Sequence, residues 1–222
     1  MNKICKLSAI ALLASSTSLM AQTFSGPYAG ISASVAGFGT DAKKTSTGPT
    51  TSANPASGNG PVGAIFGLAA IDVGYGIPVS KGTTIAVGAT YTPMEADFSG
   101  KSNDASSGQS HTFTIKNPYT VYIAPTFEIN KDSAFFVKAV YSKADVKATN
   151  LTSSPSDLEG YGGAAGLKVM LTSNAYVQVE AAYTKFDSLR ATDAAVVGTN
   201  TRTYTANDPE LVEGRITVGY KF

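Results

Sequence analysis

Residues 177–186 read VQVEAAYTKF. By parity, Val177, Val179, Ala181 and Tyr183 form one apolar face. Gln178, Glu180, Ala182 and Thr184 form the other. Strict alternation is the signature of a strand with two unlike faces. Glu180 sits in the middle of the minor face. A carboxylate there needs water or a partner, because an unpaired buried charge is costly.

The same pattern recurs. Apolar-alternating runs fall at 28–38, 63–77, 83–93, 118–129, 134–143, 161–171, 176–186 and 212–222, which makes eight. In the first, Ala29, Ile31, Ala33 and Val35 oppose Gly30, Ser32 and Ser34. In the fourth, Tyr119, Val121, Ile123 and Phe127 oppose Thr120, Tyr122, Thr126 and Glu128. In the last, "ITVGYKF" at 216–222, Ile216, Val218, Tyr220 and Phe222 share a face. Ending on a bare Phe is unusual for a soluble chain, whose termini tend to fray into water.

The breaks between runs come in two sizes. "PVSKG" (78–82), "NKDS" (130–133) and "TSNA" (172–175) are short. Segments 39–62, 94–117, 144–160 and 187–211 are long and rich in Ser, Thr, Asn, Asp, Gly and Pro. Long and short alternate strictly. In an up-and-down meander this puts tight turns at one end and long loops at the other. That is the layout of an outer-membrane barrel, with short periplasmic turns and longer outer loops. The expected fold is therefore all-β: an eight-stranded antiparallel up-and-down transmembrane β-barrel with four long extracellular loops.

The apolar sets cover ~8–11 residues of tilted strand, or roughly 20–25 Å, the height of such a membrane band. Tyr28, Tyr75, Tyr91, Tyr161, Tyr176, Tyr183 and Tyr220 lie near strand ends, as an interfacial girdle requires. The competing architecture is a soluble lipocalin-like can, apolar inside and polar outside. Small residues and mid-strand charges on the minor face, aromatics at the ends of the apolar face and the uneven connections favour the membrane barrel.

The N-terminus has the layout of a cleaved secretory leader over 1–21, leaving 22–222 as the barrel. Lys3 and Lys6 precede the apolar core "LSAIALLA", and Ala21 precedes the expected cut. That core is too short for a membrane anchor, which needs ~20 apolar residues. Cleavage removes Cys5, the single cysteine, so no disulfide holds the remainder. Taking two lysines from 17 basic residues leaves 15 against 16 acids, a net charge of −1. Such a balance gives no basis for a nucleic-acid partner.

Charges on the minor faces carry the site expectation. Asp72, Lys138, Lys168 and Glu180 each lie four or five residues from the short-turn end, and Arg215 about seven from the C-terminus. A lipid-facing Lys or Arg at the midplane would cost ~2–4 kcal/mol, and a charge in a narrow lumen must be paired. An ion-pair network is therefore expected in which Asp72, Glu128 and Glu180 meet Lys138, Lys168 and Arg215. An eight-stranded lumen is just wide enough for side chains to fill, so a free diffusion channel is not expected.

Catalytic signals are sparse. His111, the single histidine, lies in "SGQSHTFTIK" among the serines and threonines of a polar connection. No His, Cys or carboxylate spacing suits a metal. The glycine runs "DVGYG" and "GYGGAAGLK" lie inside strands with no following helix, so they are not phosphate cradles. No cofactor is expected.

Taken together, "PYAGISASV", "DVGYGIPVS", "FFVKAVYS", "VQVEAAYTKF" and terminal "RITVGYKF" resemble the small bacterial outer-membrane barrels of the OmpA-transmembrane, OmpX and opacity-protein type. The resemblance covers 22–222. It implies a bacterial outer-membrane location and, for Lys138, Glu180 and Arg215, internal pairs of the OmpA-like kind. It also implies that the C-terminal aromatic, with Ile216, Val218, Tyr220 and Phe222, is the signal read by the outer-membrane assembly machinery. Opacity-type members contact host surfaces through their loops. Lipid A deacylases of similar size carry a His-x-Ser pair; here His111 is followed by Thr112 and Phe113. The expected role is structural or surface interaction, by a monomer set in outer-membrane lipid and lipopolysaccharide. A narrow pore is the second reading, and a lipid-modifying enzyme using His111 the third.

Overall fold

The computed structural model describes residues 23–47, 58–100, 111–148, 157–194 and 201–222. The expected leader and the tips of the four long connections lie outside these residues. Among the described residues ten strands are formed: β1 (Gly26–Thr47), β2 (Gly58–Ser80), β3 (Thr83–Tyr91), β4 (Ala96–Gly100), β5 (His111–Asn130), β6 (Ser133–Ala148), β7 (Leu158–Met170), β8 (Ala175–Phe186), β9 (Leu189–Ala194) and β10 (Thr201–Lys221). Eight of them form a ring in the order β1-β2-β3-β5-β6-β7-β8-β10, and β10 pairs with β1 to close it. The short strands β4 and β9 pair onto β5 and β10. Every pairing is antiparallel.

Paired residues give the stagger. From Tyr28 the partners run through Gly74, Gly88, Tyr122, Val140, Gly162, Thr184 and Leu211. Leu211 then pairs with Phe38, ten residues above Tyr28 on β1. Ten residues at ~3.3 Å against eight spacings of ~4.7 Å tilt the strands by about 41°. Each residue then climbs about 2.5 Å along the barrel axis.

The two faces decide between the competing barrels. Outward residues are apolar and bare: Ile31 is 70% exposed, Val35 64% and Ile216 55%. Inward residues are polar and buried: Ser32, Asp72, Thr90, Lys138, Gln178, Glu180, Glu213 and Thr217. A surface apolar outside and polar inside is stable only against lipid, where a closed ring also satisfies every backbone ladder.

Five outward tyrosines form a belt at one level, Tyr91, Tyr119, Tyr141, Tyr161 and Tyr183. Tyr91 pairs with Tyr119, and Tyr141 with Tyr161, the latter two rings 5.2 Å apart. On β5 the apolar band runs from Tyr119 to Ile129 at the turn end, about 25 Å along the axis. Tyr28 and Tyr176 are corrections to the expected girdle. Both are inside, 7% and 2% exposed. Tyr28 shares parity with Ser32, and Tyr176 with Glu180, and parity outranks position at a strand end.

The long connections also need correction. Much of 39–62, 94–117, 144–160 and 187–211 is strand, continuing β1, β2, β5, β6 and β10 beyond the belt. There the faces invert. Ile115, Ala144, Val146, Leu158, Phe186 and Leu189 pack inside, and Asp41, Lys43, Asp145, Lys147 and Lys185 point out, exposed. This part stands in water, so it buries its apolar face as a soluble barrel does. Near its base β10 bulges at Asp208, whose φ is +44°, and Pro209 is fully buried beside it.

Three inner tyrosines lie across glycines of neighbouring strands: Tyr28 on Gly74, Tyr122 on Gly88 and Tyr176 on Gly219. A Cβ at any of these glycines would overlap the tyrosine ring or hydroxyl. The absent side chain is what lets a large ring lie flat along the wall of so narrow a lumen.

Candidate functional site: the charged lumen

The sheet puts each inward charge on a fixed level. Glu180 on β8 and Arg215 on β10 are direct partners in the ladder. Glu180 receives the Lys138 ammonium at 2.5 Å and the Gln178 amide at 2.9 Å on Oε2. Its Oε1 lies 3.6 Å from Arg215 Nη1. Arg215 in turn donates to both oxygens of Glu213, at 2.8–3.1 Å. Lys138, Glu180, Arg215 and Glu213 therefore form one chain of alternating charge across β6, β8 and β10. The Lys138 and Glu180 side chains are only 5% and 3% exposed. Lys138 also lies 4.4 Å above the Tyr122 ring, which adds cation–π attraction in a site that excludes water.

Three other charges named from the sequence are arranged differently. Asp72 makes no ion pair among the described residues. It accepts hydrogen bonds from Thr90 Oγ1 at 2.9 Å and from the Tyr122 hydroxyl at 3.0 Å, and that hydroxyl is 2.8 Å from the Tyr28 hydroxyl. Lys168 meets no carboxylate among them either. Its ammonium lies 4.5 and 4.6 Å from the Tyr28 and Tyr176 ring centres. Glu128 stands outside the network, close to the turn at Gly82, with Oε1 buried and unbonded. Asp72 and Lys168 are thus neighbours of the same Tyr28, one through a hydroxyl relay and the other through the ring. Charge–charge counting could not see these partners, because hydroxyls and aromatic faces carry no formal charge. Tyr28, Tyr122, Gln178 and Glu213 were the missing members, and parity was the signal that placed all four inside.

The lumen is closed at other levels too. Phe24, ahead of β1, is buried at the periplasmic mouth in one cluster with Ala86, Ala134, Met170 and Tyr176. Lys221 Nζ holds that segment by donating to the Thr23 carbonyl at 3.0 Å. Above the ion pairs stands the apolar core around Leu158 and Phe186.

The C-terminal residues lie on the seam. Ile216, Val218, Tyr220 and Phe222 all point outward, and Phe222 is 70% exposed. The Phe222 N–H donates to Pro27 O at 3.0 Å, and its ring meets Tyr220 edge-on, centroids 5.3 Å apart. His111 opens β5 opposite Gly100. Among the described residues no group of three His, Cys, Asp or Glu could hold a metal ion.

A closed antiparallel ring with a lipid-facing apolar band and a charged, side-chain-filled interior defines an integral outer-membrane barrel. The chain belongs to the outer membrane protein beta-barrel domain family, whose model matches residues 7–222, and it is a bacterial outer-membrane protein. It is similar to OprG from Pseudomonas aeruginosa at 12% identity and a TM-score of 0.57, over 90% of this chain and 98% of that one. Ail, the attachment invasion locus protein of Yersinia pestis, was solved with the heparin analogue sucrose octasulfate. It matches at 14% identity and a TM-score of 0.46, over 87% of this chain and 99% of that one. Neisserial surface protein A matches at 18% identity and a TM-score of 0.41, over 89% and 98%. The likeness to OprG is one of fold. No curated protein matches the chain.

Proposed function

We propose that this protein is a closed barrel that presents a surface-interaction platform outside the outer membrane and conducts no solute. The observation that carries the reading is the buried Lys138–Glu180–Arg215–Glu213 chain, set between the Phe24 floor and the apolar upper core. An ion crossing would have to break paired charges and then pass an apolar septum, and neither step offers a hydrated path. The platform is the part of the barrel above the tyrosine belt. On β1 it spans Gly37 to Thr47, about 25 Å along the axis. With a core of its own, it holds the four loop segments on a stiff base.

In this reading residues 1–21 are a leader removed on export, the barrel is a monomer, and no catalytic step is involved. Planar-bilayer recording of the refolded chain is expected to show no stable open conductance. A large, steady conductance would overturn the closed lumen. Replacing residues 48–57 by a Gly-Ser linker is expected to leave outer-membrane levels intact while lowering adhesion of expressing cells to host-cell surfaces. Undiminished adhesion would remove that loop from the platform's function.

A further inference from the structure

After residue 21 the chain holds no cysteine and two methionines, Met94 and Met170. Their settings differ. Met170 is 8% exposed, inside the cluster that floors the lumen. Met94 is 41% exposed. It lies between β3 and β4, on the outer side of the membrane.

Met94 also spans a break in the wall. The β2–β3 ladder ends at the pair Ile71–Tyr91, on the tyrosine belt. Above that pair β3 has stopped and β4 pairs with β5. From Gly58 to Ala70, β2 therefore has a ladder partner in β1 alone among the described residues. The Ala69 N–H, two residues on from Ile71, points into the break and donates to Met94 Sδ at 3.3 Å. The backbone on either side of Met94 is tied to β5. The Thr92 N–H donates to Pro118 O at 2.9 Å, and Lys116 Nζ donates to Glu95 Oε1 at 2.6 Å. The thioether is thus a bridge from the β5 side of the break to its β2 side. A thioether is a weak acceptor, so the bridge is a loose one.

We propose that Met94 is an oxidation site whose sulfoxide fastens β2 across this break. The oxidant is a peroxide that reaches the cell surface. Sδ takes one oxygen atom from it. The O–O bond breaks, sulfur loses two electrons, and hydrogen peroxide leaves as water. The product is a polar side chain in place of an apolar one. Its oxygen is a strong acceptor where the thioether was a weak one. The Ala69 N–H already aims at this side chain, so oxidation turns the loose bridge into a firm one. Exposure selects the residue, because the other thioether is shut in the lumen and no thiol competes. The link sits at the root of the extramembrane part of β2, which stiffens when peroxide is present.

The test uses the full barrel in detergent, treated with hydrogen peroxide. Peptide mass mapping is expected to place the first added oxygen on Met94, with Met170 modified only after unfolding. Amide hydrogen exchange at Ala69 is expected to slow about fivefold on oxidation, the scale of one net hydrogen bond. Met94→Gln sets an amide oxygen in place of the sulfoxide and should slow Ala69 in the same way without peroxide. Met94→Leu removes the acceptor. Ala69 should then exchange faster, and peroxide should leave its rate unchanged. Heat-modifiable migration checks that each variant is folded. Oxidation of Met170 as fast as Met94 in the folded barrel would overturn the selectivity. An Ala69 rate that ignores peroxide, or rises with it, would overturn the fastening.

Discussion

Replacing Glu180 by alanine is expected to cost about 3–5 kcal/mol of stability, the usual penalty for removing one partner of a buried ion pair. Glu180 is the shared anion of the lumen: Lys138 and Arg215 both reach it, and Gln178 donates to it. The two cations then fare differently. Arg215 keeps its two-pronged contact with Glu213, whereas Lys138 keeps only the faces of Tyr122 and Phe136. The loss should therefore reside mostly in Lys138. Adding Lys138→Met to the alanine variant is expected to recover most of it, because the pair is replaced by uncharged groups. Urea unfolding in lipid vesicles measures all three chains. A loss below about 1 kcal/mol for the single variant, the range of exposed pairs, would mean that water screens the lumen.

Parity made the wall of the barrel legible. Ile31, Val179 and Ile216 point to lipid and Glu180 and Lys138 to the lumen, because a strand allows only two sides. Two rules in conflict misplaced Tyr28 and Tyr176. Their position near strand ends suggested a girdle, but they share parity with the lumen residues, and the glycines facing them, Gly74 and Gly219, leave room for a ring. The extramembrane strands were hidden for another reason. Outside lipid the apolar face turns inward and the outer face turns polar, so a search for lipid-facing alternation stops at the belt. Leu158 and Leu189 sit in stretches that read as polar loop, and only the sheet register brings them together with Phe186. The network was legible as far as charge pairs with charge. Asp72 and Lys168 lay beyond that, since Thr90, Tyr122 and the rings of Tyr28 and Tyr176 satisfy them.

Deleting Phe222 is expected to lower the amount of barrel in the outer membrane several-fold while changing the stability of the assembled barrel little. The second half follows from geometry. Phe222 contributes one hydrogen bond to Pro27 and an edge contact to Tyr220. A net hydrogen bond is worth about 1 kcal/mol, and the ring is 70% exposed toward lipid, so its loss leaves no cavity. The ladder from Tyr28–Lys221 upward would still close the ring. The first half rests on the reading of Ile216, Val218, Tyr220 and Phe222 as the strand presented to the assembly machinery before closure. At that stage β10 has no partner on the β1 side, and its outward apolar row is available for docking by strand addition. Two measurements separate the roles: the quantity of heat-modifiable barrel in outer-membrane fractions, and the urea midpoint of the fraction that does assemble. Normal outer-membrane levels would end the assembly-signal reading. A large fall in the urea midpoint would instead make Phe222 a structural clasp on the seam.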